Sequence, residues 1–361
     1  MKPIAFYLPQ FHPVAENNQW WGEGFTEWTN VTKAKPLYRG HNQPRFPADL
    51  GYYDLRLPEV RERQAEMAKK YGVYGFCYYH YWFGNGKQLL ERPVNEVLHM
   101  GKPDLPFSLC WANQSWTGIW FGAKDKTLMK QEYPGMEDYK AHFNYLRKAF
   151  EDPRYIQIEG KPLFIIYDVK DLPDPKQTAD ILKELAVQAG FKGMHLLAGN
   201  ISKDDWNPEQ YNFDGKISNA FNKSIISEQE RSRKNNVLKK LVRNSHWELD
   251  FLKSKHRLNL LDHREVVKGM DYGNFDYYNY PIVVPNWDNT PRSESRGLIL
   301  ENSTPELFAK QIQKAKEYLS RRTREEDIYF IKSWNEWAEG NYLEPDTVTG
   351  YAYLEKIKET N

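Results

Sequence analysis

Short apolar segments recur along the chain, and each of them ends in polar or aromatic residues. The segments are IAFYLPQFH (4–12), YGFCYYHYW (74–82), PFSLCWANQ (106–114), PLFIIYD (162–168), MHLLAGN (194–200), FDGKISN (213–219), YPIVVPNWDN (280–289) and IYFIKSWNEW (328–337). Their length and their β-branched and aromatic content are typical of buried strands. The segment 213–219 has the weakest pattern, and with it the chain has about eight predicted strands.

Helical patterns separate most of these segments. Periodic apolar residues, with Pro near the start or Gly just past the end, predict helices over 57–71 and 178–189, and an apolar stripe predicts one over 138–150. Thr304 and Pro305 predict the start of another helix, as its N-cap and its first residue. Strands that alternate with helices indicate parallel βαβ units.

About eight βαβ units form a (β/α)8 TIM barrel. A doubly wound open sheet is the alternative, but the chain lacks the glycine-rich first turn of that fold. We therefore expect an α/β fold in which residues 1–361 form a single barrel domain with long βα loops. Residues 13–56 form the active-site loop region, and the polar, basic residues 221–275 form a helical insertion after the sixth strand.

The composition limits the classes of partner. A formal net charge of +1 does not indicate binding of nucleic acid or of an anionic membrane. Aromatic residues make up 15% of the chain, and their flat faces suit sugar rings. The N-terminus turns polar too early for a signal peptide, and no apolar stretch is long enough for a membrane span. We expect a cytoplasmic protein, or a periplasmic one if a leader has been removed.

The sequence gives little support for a disulfide or a metal centre. Cys77 and Cys110 lie in apolar strand-like segments, which is the usual setting of a buried free thiol. His12, His41 and His80 could converge with acidic residues, but no H-x-x-x-H or C-x-x-C spacing supports a metal site. We predict no metal and no cofactor.

The segment SWNEWAEG (333–340) places two carboxylates beside large apolar residues at the end of the last predicted strand. Carboxylates are rarely buried without a partner, so Glu336 and Glu339 indicate a pocket. Glycoside cleavage needs an acid and a second carboxylate that acts as base or nucleophile, and this pair could provide both. Burial would raise the pKa of such a carboxyl group, as a general acid near neutral pH requires.

Reactive groups of a TIM barrel lie at the C-terminal ends of its strands. We predict that residues at these ends and in the first long loop bind the sugar, namely Glu27, Trp28, Tyr79, His80, Trp82, Trp111, Asn113, Trp116, Trp287, Asp288, Asn335 and Trp337. For Glu27 and Trp28 the alternative is a loop that packs its own tryptophans, and for His80 it is a structural histidine. Strand alternation places Tyr79 on one face of its strand and His80 and Trp82 on the other.

Six stretches carry a family resemblance: AFYLPQFHP (5–13), WWGEGFTEWTNV (20–31), GFCYYHYWF (75–83), WANQSWT (111–117), PNWDNTPR (285–292) and SWNEWAEGNYLEPD (333–346). The segment NEWAEG resembles the catalytic N-E-W-x-E-G segment of glycoside hydrolase family 99, the endo-α-mannosidases and endo-α-mannanases. The whole chain is most similar to the WbsX group, a related set named as glycosyltransferases and found in bacterial polysaccharide gene clusters.

This resemblance implies a (β/α)8 barrel and retention of the anomeric configuration. It implies that Glu336 deprotonates the 2-hydroxyl of the sugar, which attacks C1 to give a 1,2-anhydro sugar, and that Glu339 acts as general acid and then as base. The route requires a 2-hydroxyl trans to the leaving group, as in α-mannosides and α-rhamnosides. The surrounding loops follow the WbsX group, so mannoside specificity does not follow from the resemblance.

Three functions remain open from the sequence. The first is a retaining glycoside hydrolase or transglycosylase that acts on an oligo- or polysaccharide. The second is a glycosyltransferase of lipopolysaccharide or capsule synthesis, although the chain has no D-x-D, G-x-G-x-x-G or G-x-x-x-x-G-K motif. The third is a non-catalytic glycan-binding protein, which would not need the glutamate pair. The sequence does not indicate the oligomeric state.

Overall fold

The computed structural model describes residues 1–118, 127–242, 258–322 and 327–360, and nine parallel strand segments form its central sheet. They are β1 (Lys2–Tyr7), β2 (Gly75–Trp82), β3 (Phe107–Trp111), β4 (Lys161–Ile166), β5 (His195–Ala198), β6 (Gly215–Ile217), β7 (Asn279–Tyr280), β8 (Ile282–Val283) and β9 (Ile328–Ile331). Their order in the sheet is β7-β6-β5-β4-β3-β2-β1-β9-β8. Every predicted apolar segment contributes to this sheet.

Pro281 divides the seventh predicted strand into β7 and β8. On one side, the N–H of Ser218 donates to the carbonyl of Tyr280 at 2.8 Å, which joins β7 to β6. On the other, the N–H of Phe330 donates to the carbonyl of Pro281 at 2.8 Å, which joins β8 to β9. Proline has no N–H to donate, so the strand is interrupted there. The two segments together bring the ends of the sheet into a nearly closed barrel, which confirms the predicted TIM-barrel fold.

Helices cover the barrel, and several begin and end close to the predicted positions. The described helices are α1 (Ala15–Trp21), α2 (Glu27–Lys33), α3 (Pro58–Lys70), α4 (Arg92–Met100), α5 (Met136–Phe150), α6 (Pro175–Gln188), α7 (Ala220–Val242), α8 (His263–Gly269), α9 (Thr290–Ser293), α10 (Pro305–Leu319) and α11 (Ala352–Thr360). The hydroxyl of Thr304 accepts a hydrogen bond from the N–H of Leu307, as its predicted N-cap role requires. None of the helices in the described ranges is long and apolar enough to cross a membrane.

Both long insertions contain short elements that the sequence pattern did not predict. The region 13–56 is more ordered than a loop, since it contains α1 and α2. The helical insertion predicted over 221–275 is not confirmed. Helix α7 covers its first part and residues 243–257 lie outside the described residues. The remainder holds the strand Asn259–Asp262, which pairs with Leu298–Glu301, before α8. A basic, polar stretch therefore did not reveal the short strand inside it.

The core combines the barrel interior with the layer between strands and helices. All eight residues of β2 are buried, so both faces of this strand are covered. Cys77 and Cys110 are free and buried on neighbouring strands, as predicted.

Candidate active site

A cavity of about 280 Å³ lies at the C-terminal end of the barrel strands. Its lining combines charged, tyrosine and other aromatic side chains from the barrel and from the first long loop, among them Trp21, Glu27, Tyr79, Tyr81, Trp116, Tyr167, Arg292, Lys332, Glu336 and Glu339. The charged groups come from three separate stretches of sequence, which the barrel brings to one end. This is the face on which TIM barrels carry their active sites.

Both candidate catalytic glutamates lie in a short β-hairpin after β9. The strands Asn335–Glu336 and Asn341–Tyr342 pair in antiparallel fashion, and a 3-10 turn (Trp337–Glu339) connects them. The hydroxyl of Ser333 accepts a hydrogen bond from the N–H of Glu336 at 2.9 Å. The hairpin therefore fixes the backbone on which both carboxylates are carried.

Gly340 allows the hairpin to turn against the neighbouring loop. Its φ is +69°, and a Cβ atom at this position would lie 2.8 Å from the backbone nitrogen of Asp288. The N–H of Asp288 donates to the carbonyl of Glu339 at 2.7 Å. A residue with a side chain would have both a strained backbone and a steric clash here. The glycine of the motif thus holds Glu339 close to the loop after β8.

Arg292, at the end of α9, binds three carboxylates in the cavity. Its Nη1 lies 2.6 Å from Oε1 of Glu339, and its Nη2 lies 3.3 Å from Oε2 of Glu336 and 2.7 Å from Oε1 of Glu27. The carboxylates are all buried. Without the guanidinium they would repel one another in a poorly solvated space, so Arg292 is what allows the three acids to lie together.

The electrostatic environments of the two motif glutamates differ. Burial and the adjacent charge of Glu339 raise the pKa of Glu336 to about 7. Burial alone would raise the pKa of Glu339 too, but the charges of Arg292 and Lys332 hold that pKa below its ordinary value. A hydrogen bond from Asn341 to Oε2 of Glu339, at 3.3 Å, acts in the same direction. Near neutral pH, the site therefore carries an ionised Glu339 and a Glu336 that is close to its titration point.

Lys332 supplies the second cation of the cavity. Its Nζ lies 4.0 Å from Oε2 of Glu339 and 4.8 Å from the centre of the Trp287 ring. Burial alone would lower the pKa of Lys332, but Tyr167, Glu339 and Glu336 together raise it, so the ammonium group stays charged. Among the described residues, the site thus pairs two cations with three acids, one of which readily takes up a proton.

The structure brings part of the predicted site together. The predicted residues that line the main cavity are Glu27, Tyr79, Trp116, Glu336 and Glu339. Trp287 lines a smaller adjoining cavity.

Three predicted sugar-binding residues lie on the outer face of the barrel. The Nε2 atoms of His80 and His142 are 2.8 Å apart, and the Trp82 ring stacks on His142, which belongs to α5. The indole N–H of Trp111 donates to the carbonyl of Trp82 at 2.9 Å. Strand alternation places His80 and Trp82 opposite Tyr79, as anticipated. Trp111, on the neighbouring strand, also contacts the His142 ring, so all three side chains pack under α5 and do not face the cavity.

The remaining predicted residues support the site without lining the main cavity. They bind backbone or buried side chains as follows: Trp28 to the carbonyl of Tyr53, Asn113 to the backbone of Asp168, Asp288 to His41 and Gln43, Asn335 to the backbone of Leu8, and Trp337 to Glu344. Glu344 also accepts from the indole of Trp334 at 2.9 Å. The tryptophans of the motif therefore anchor the hairpin to a buried carboxylate and are not platforms for a sugar.

The residues of the cavity wall that the sequence did not indicate include Tyr81, Tyr167, Arg292 and Lys332. Tyr81 could have been predicted, because it lies on the same strand face as Tyr79. Arg292 lies within PNWDNTPR, but its contacts with three acids from distant segments have no local sequence signal. In the described part of the chain, no three His, Cys, Asp or Glu side chains are placed to hold a metal ion.

Comparisons with known proteins agree with this architecture. A family model described as Glycosyltransferase WbsX matches residues 3–357. Two relatives, from two strains of Xanthomonas campestris pv. campestris, are both named uncharacterized protein WxcX. Each is 37% identical over 360 residues, which is 99% of this chain and 49% of the relative. The chain thus spans about half the length of the curated relatives it matches.

Solved structures show the same fold at low sequence identity. The GH99 endo-α-mannosidase from Bacteroides thetaiotaomicron, in complex with bis-tris propane, aligns with a TM-score of 0.59 and 15% identity over 99% of this chain and 95% of its own. A second structure of that enzyme gives a TM-score of 0.56 and 16% identity, with 99% and 95% of the two chains covered. The match of the family model over nearly the whole length is the decisive result, and the chain belongs to the WbsX family.

Proposed function

We propose that this protein is a retaining glycoside hydrolase that cleaves α-mannoside-like or α-rhamnoside-like linkages in a polysaccharide with Glu336 and Glu339. The observation that carries the proposal is the pair of buried carboxylates in one cavity, bridged by Arg292 through contacts of 2.6 and 3.3 Å. Catalytic acids and bases require shifted pKa values, and the two glutamates are shifted in opposite directions.

The proposed roles follow the resemblance to family 99. Glu336 takes the proton of the sugar 2-hydroxyl, O2 forms a bond to C1, and the C1–O bond to the leaving group breaks as Glu339 protonates that oxygen. Water, activated by Glu339, then opens the 1,2-anhydro sugar and the 2-hydroxyl regains a proton. A base with a pKa of about 7 suits work near neutral pH.

The charges around Glu339 oppose its role as general acid. A general acid must be protonated before the leaving group departs, whereas Arg292 and Lys332 favour the ionised form of Glu339. The proposed order requires that substrate weakens the contact between Arg292 and Glu339 and that the proton held by Glu336 passes to Glu339. The exchanged order, with Glu336 as acid, would follow from these charges alone.

Substrates with activated leaving groups distinguish the two orders. A nitrophenyl leaving group departs without protonation, so loss of the acid has little effect on the rate at which nitrophenol is released in the first step. Loss of the base that deprotonates the 2-hydroxyl slows that step for every substrate. We expect Glu339→Gln to lower the turnover of a natural glycan by about 100-fold or more. Release of nitrophenol from 4-nitrophenyl α-mannosides or α-rhamnosides should fall far less. Glu336→Gln should lose activity on both. The opposite pattern would exchange the two roles.

The description of the family favours a second candidate, a glycosyltransferase. The same cavity would then hold a nucleotide-sugar and an acceptor. Incubation of the purified protein with nucleotide-sugars plus an acceptor, and separately with polysaccharides alone, distinguishes the two functions. Release of new reducing ends from a polysaccharide supports the hydrolase. Consumption of a nucleotide-sugar that depends on the acceptor, with no glycan cut, would replace our proposal.

A further inference from the structure

A second, smaller cavity of about 90 Å³ adjoins the main one. Tyr79, Tyr167 and Lys332 line both cavities, so the two spaces share a wall beside the glutamate pair. Because Lys332 lies 4.0 Å from Glu339, a sugar unit in the smaller cavity would lie next to one held at the reacting centre.

The base of the smaller cavity is apolar. It is formed by side chains from five barrel strands or the residue directly after one of them, namely Phe6, Cys110, Ile165, Ile217, Ile282 and Val284. All six are buried, and Ile217 and Ile282 keep 8% and 9% of their surface exposed. A hydroxyl group placed against this base would lose its hydrogen bonds to water without gaining a protein partner, whereas a methyl group would gain contact.

The rim of the smaller cavity is polar. Asn200, Ser218, Asn219 and Asn222 surround its opening, together with the ring of Trp287. One hydrogen bond fixes the orientation of each of two of these amide groups. The Nδ2 atom of Asn200 donates to Asp168, and that of Asn219 donates to the carbonyl of Ser202. Amides and an aromatic face are the groups that commonly bind sugar hydroxyls and C–H faces. The cavity thus suits a ring with hydroxyls on one side and an apolar substituent on the other.

We propose that the smaller cavity is a subsite for a 6-deoxyhexose unit, whose C6 methyl group contacts the apolar base. This inference rests on the proposed glycosidase function and names the class of substrate. The glycan would carry a 6-deoxy sugar directly beside the cleaved bond. A hexose with a C6 hydroxymethyl group binds more weakly, because its O6 would be buried without a hydrogen bond.

Matched pairs of methyl glycosides that differ only at O6 test the subsite. The pairs are methyl α-L-rhamnoside with methyl α-L-mannoside, and methyl α-D-rhamnoside with methyl α-D-mannoside. Dissociation constants are measured by ligand-observed NMR on the Glu336→Gln protein, so that no cleavage interferes. In at least one pair, we expect the deoxy sugar to bind about tenfold more tightly, a typical value for one unpaired hydroxyl in an apolar pocket.

Variants of residues in the smaller cavity test whether the preference for the deoxy sugar arises there. Ile217 and Asn222 line this cavity and not the main one. Ile217→Thr offers a hydroxyl at the base, so the preference for the deoxy sugar should fall at least threefold. Asn222→Ala, at an exposed position, should weaken both members of a pair equally. If Ile217→Thr does not fold, Ile282→Thr makes the same change on β8.

The outcomes separate this inference from the proposed function. Equal binding within both pairs, or a preference that neither threonine variant changes, would refute the deoxy-sugar subsite even if the wild-type protein cleaves glycans. A deoxy preference that the threonine variants reduce would support the subsite even if no hydrolysis is found.

Discussion

At the scale of single residues, Arg292 is the group on which the candidate site depends most. It is the only residue of the described chain found in ion pairs with Glu27, Glu336 and Glu339 together. The sequence could indicate the two motif glutamates, because carboxylates beside tryptophans at a strand end are unusual. It could not indicate their common partner, since Glu27, Arg292 and the motif meet only after the barrel has closed.

Replacement of Arg292 by Met should destabilise the protein and inactivate it. Three buried carboxylates would lose their counter-charge, and removal of one partner from a buried ion pair typically costs about 3–5 kcal/mol. The free energy of unfolding, from urea titration at pH 7, measures the effect. The loss should shrink at pH 5, where the carboxylates can take up protons.

Arg63 provides the control for this variant. Its ion pair with Glu66 is largely exposed, with 66% and 65% of the two side chains accessible. Arg63→Met should therefore change the free energy of unfolding by less than about 1 kcal/mol and leave activity intact. An Arg292→Met protein as stable and active as the control would contradict the role given to Arg292.

At the scale of elements, the hairpin after β9 converts a short motif into a fixed geometry. The sequence predicted the strand and a pocket beside the two glutamates, and both glutamates line the main cavity. It did not predict that Trp334 and Trp337 donate to Glu344, because that residue lies beyond the motif and a tryptophan suits a sugar platform and a buried donor equally well. Likewise, alternation along β2 correctly separated Tyr79 from His80. Which face met the cavity depended on where α5 packs.

The hairpin should not tolerate a side chain at position 340. Gly340→Ala would place a Cβ atom 2.8 Å from the backbone nitrogen of Asp288, so Glu339 must move. We expect at least a tenfold loss of glycan cleavage and destabilisation by about 1–3 kcal/mol, measured by initial rates and thermal unfolding.

Gly350 provides a control that distinguishes the steric clash at Gly340 from backbone strain. It also has a positive φ, +53°, but a Cβ atom there would meet nothing within 4 Å. Gly350→Ala should lower the free energy of unfolding by about 1 kcal/mol and leave the rate of glycan cleavage unchanged. Equal effects of the two substitutions on the rate would show that the close approach at Gly340 is not important.

At the scale of the whole molecule, the barrel was predictable because every strand carries an apolar segment and most are followed by a helical pattern. The division of the seventh strand follows from Pro281. The region 221–275 was harder to interpret, because the strand Asn259–Asp262 pairs with a distant segment and its register has no local signal.

Buried histidines should make stability depend on pH. Burial lowers the pKa of His80 to about 3 and that of His263 to about 4, and it also lowers the pKa of His142. In the unfolded chain they titrate near pH 6.5. Below that pH the unfolded state binds more protons than the folded state. Each buried histidine therefore lowers the free energy of unfolding by about 1.4 kcal/mol for each unit by which the pH falls. Glu336 and Glu344, whose pKa values are raised to about 7, act in the opposite direction as pH falls.

A comparison of variants isolates the histidine contribution. His142→Phe removes one buried titrating group, whereas His99→Gln changes an exposed one. The free energy of unfolding of His142→Phe, relative to that of wild type, should rise by on the order of 2 kcal/mol between pH 6.5 and pH 5. The same difference for His99→Gln should stay constant over this range. Parallel pH profiles for wild type and His142→Phe would contradict the buried, neutral state of this histidine.

Time-resolved NMR of the purified protein with α-mannans and rhamnose-rich glycans would show whether the glutamate pair cleaves glycans with retention. We expect that wild type releases new reducing ends, that the first anomer to appear is α, and that Glu336→Gln releases none. A first product with inverted configuration, or equal cleavage by wild type and Glu336→Gln, would contradict the proposed use of the glutamate pair.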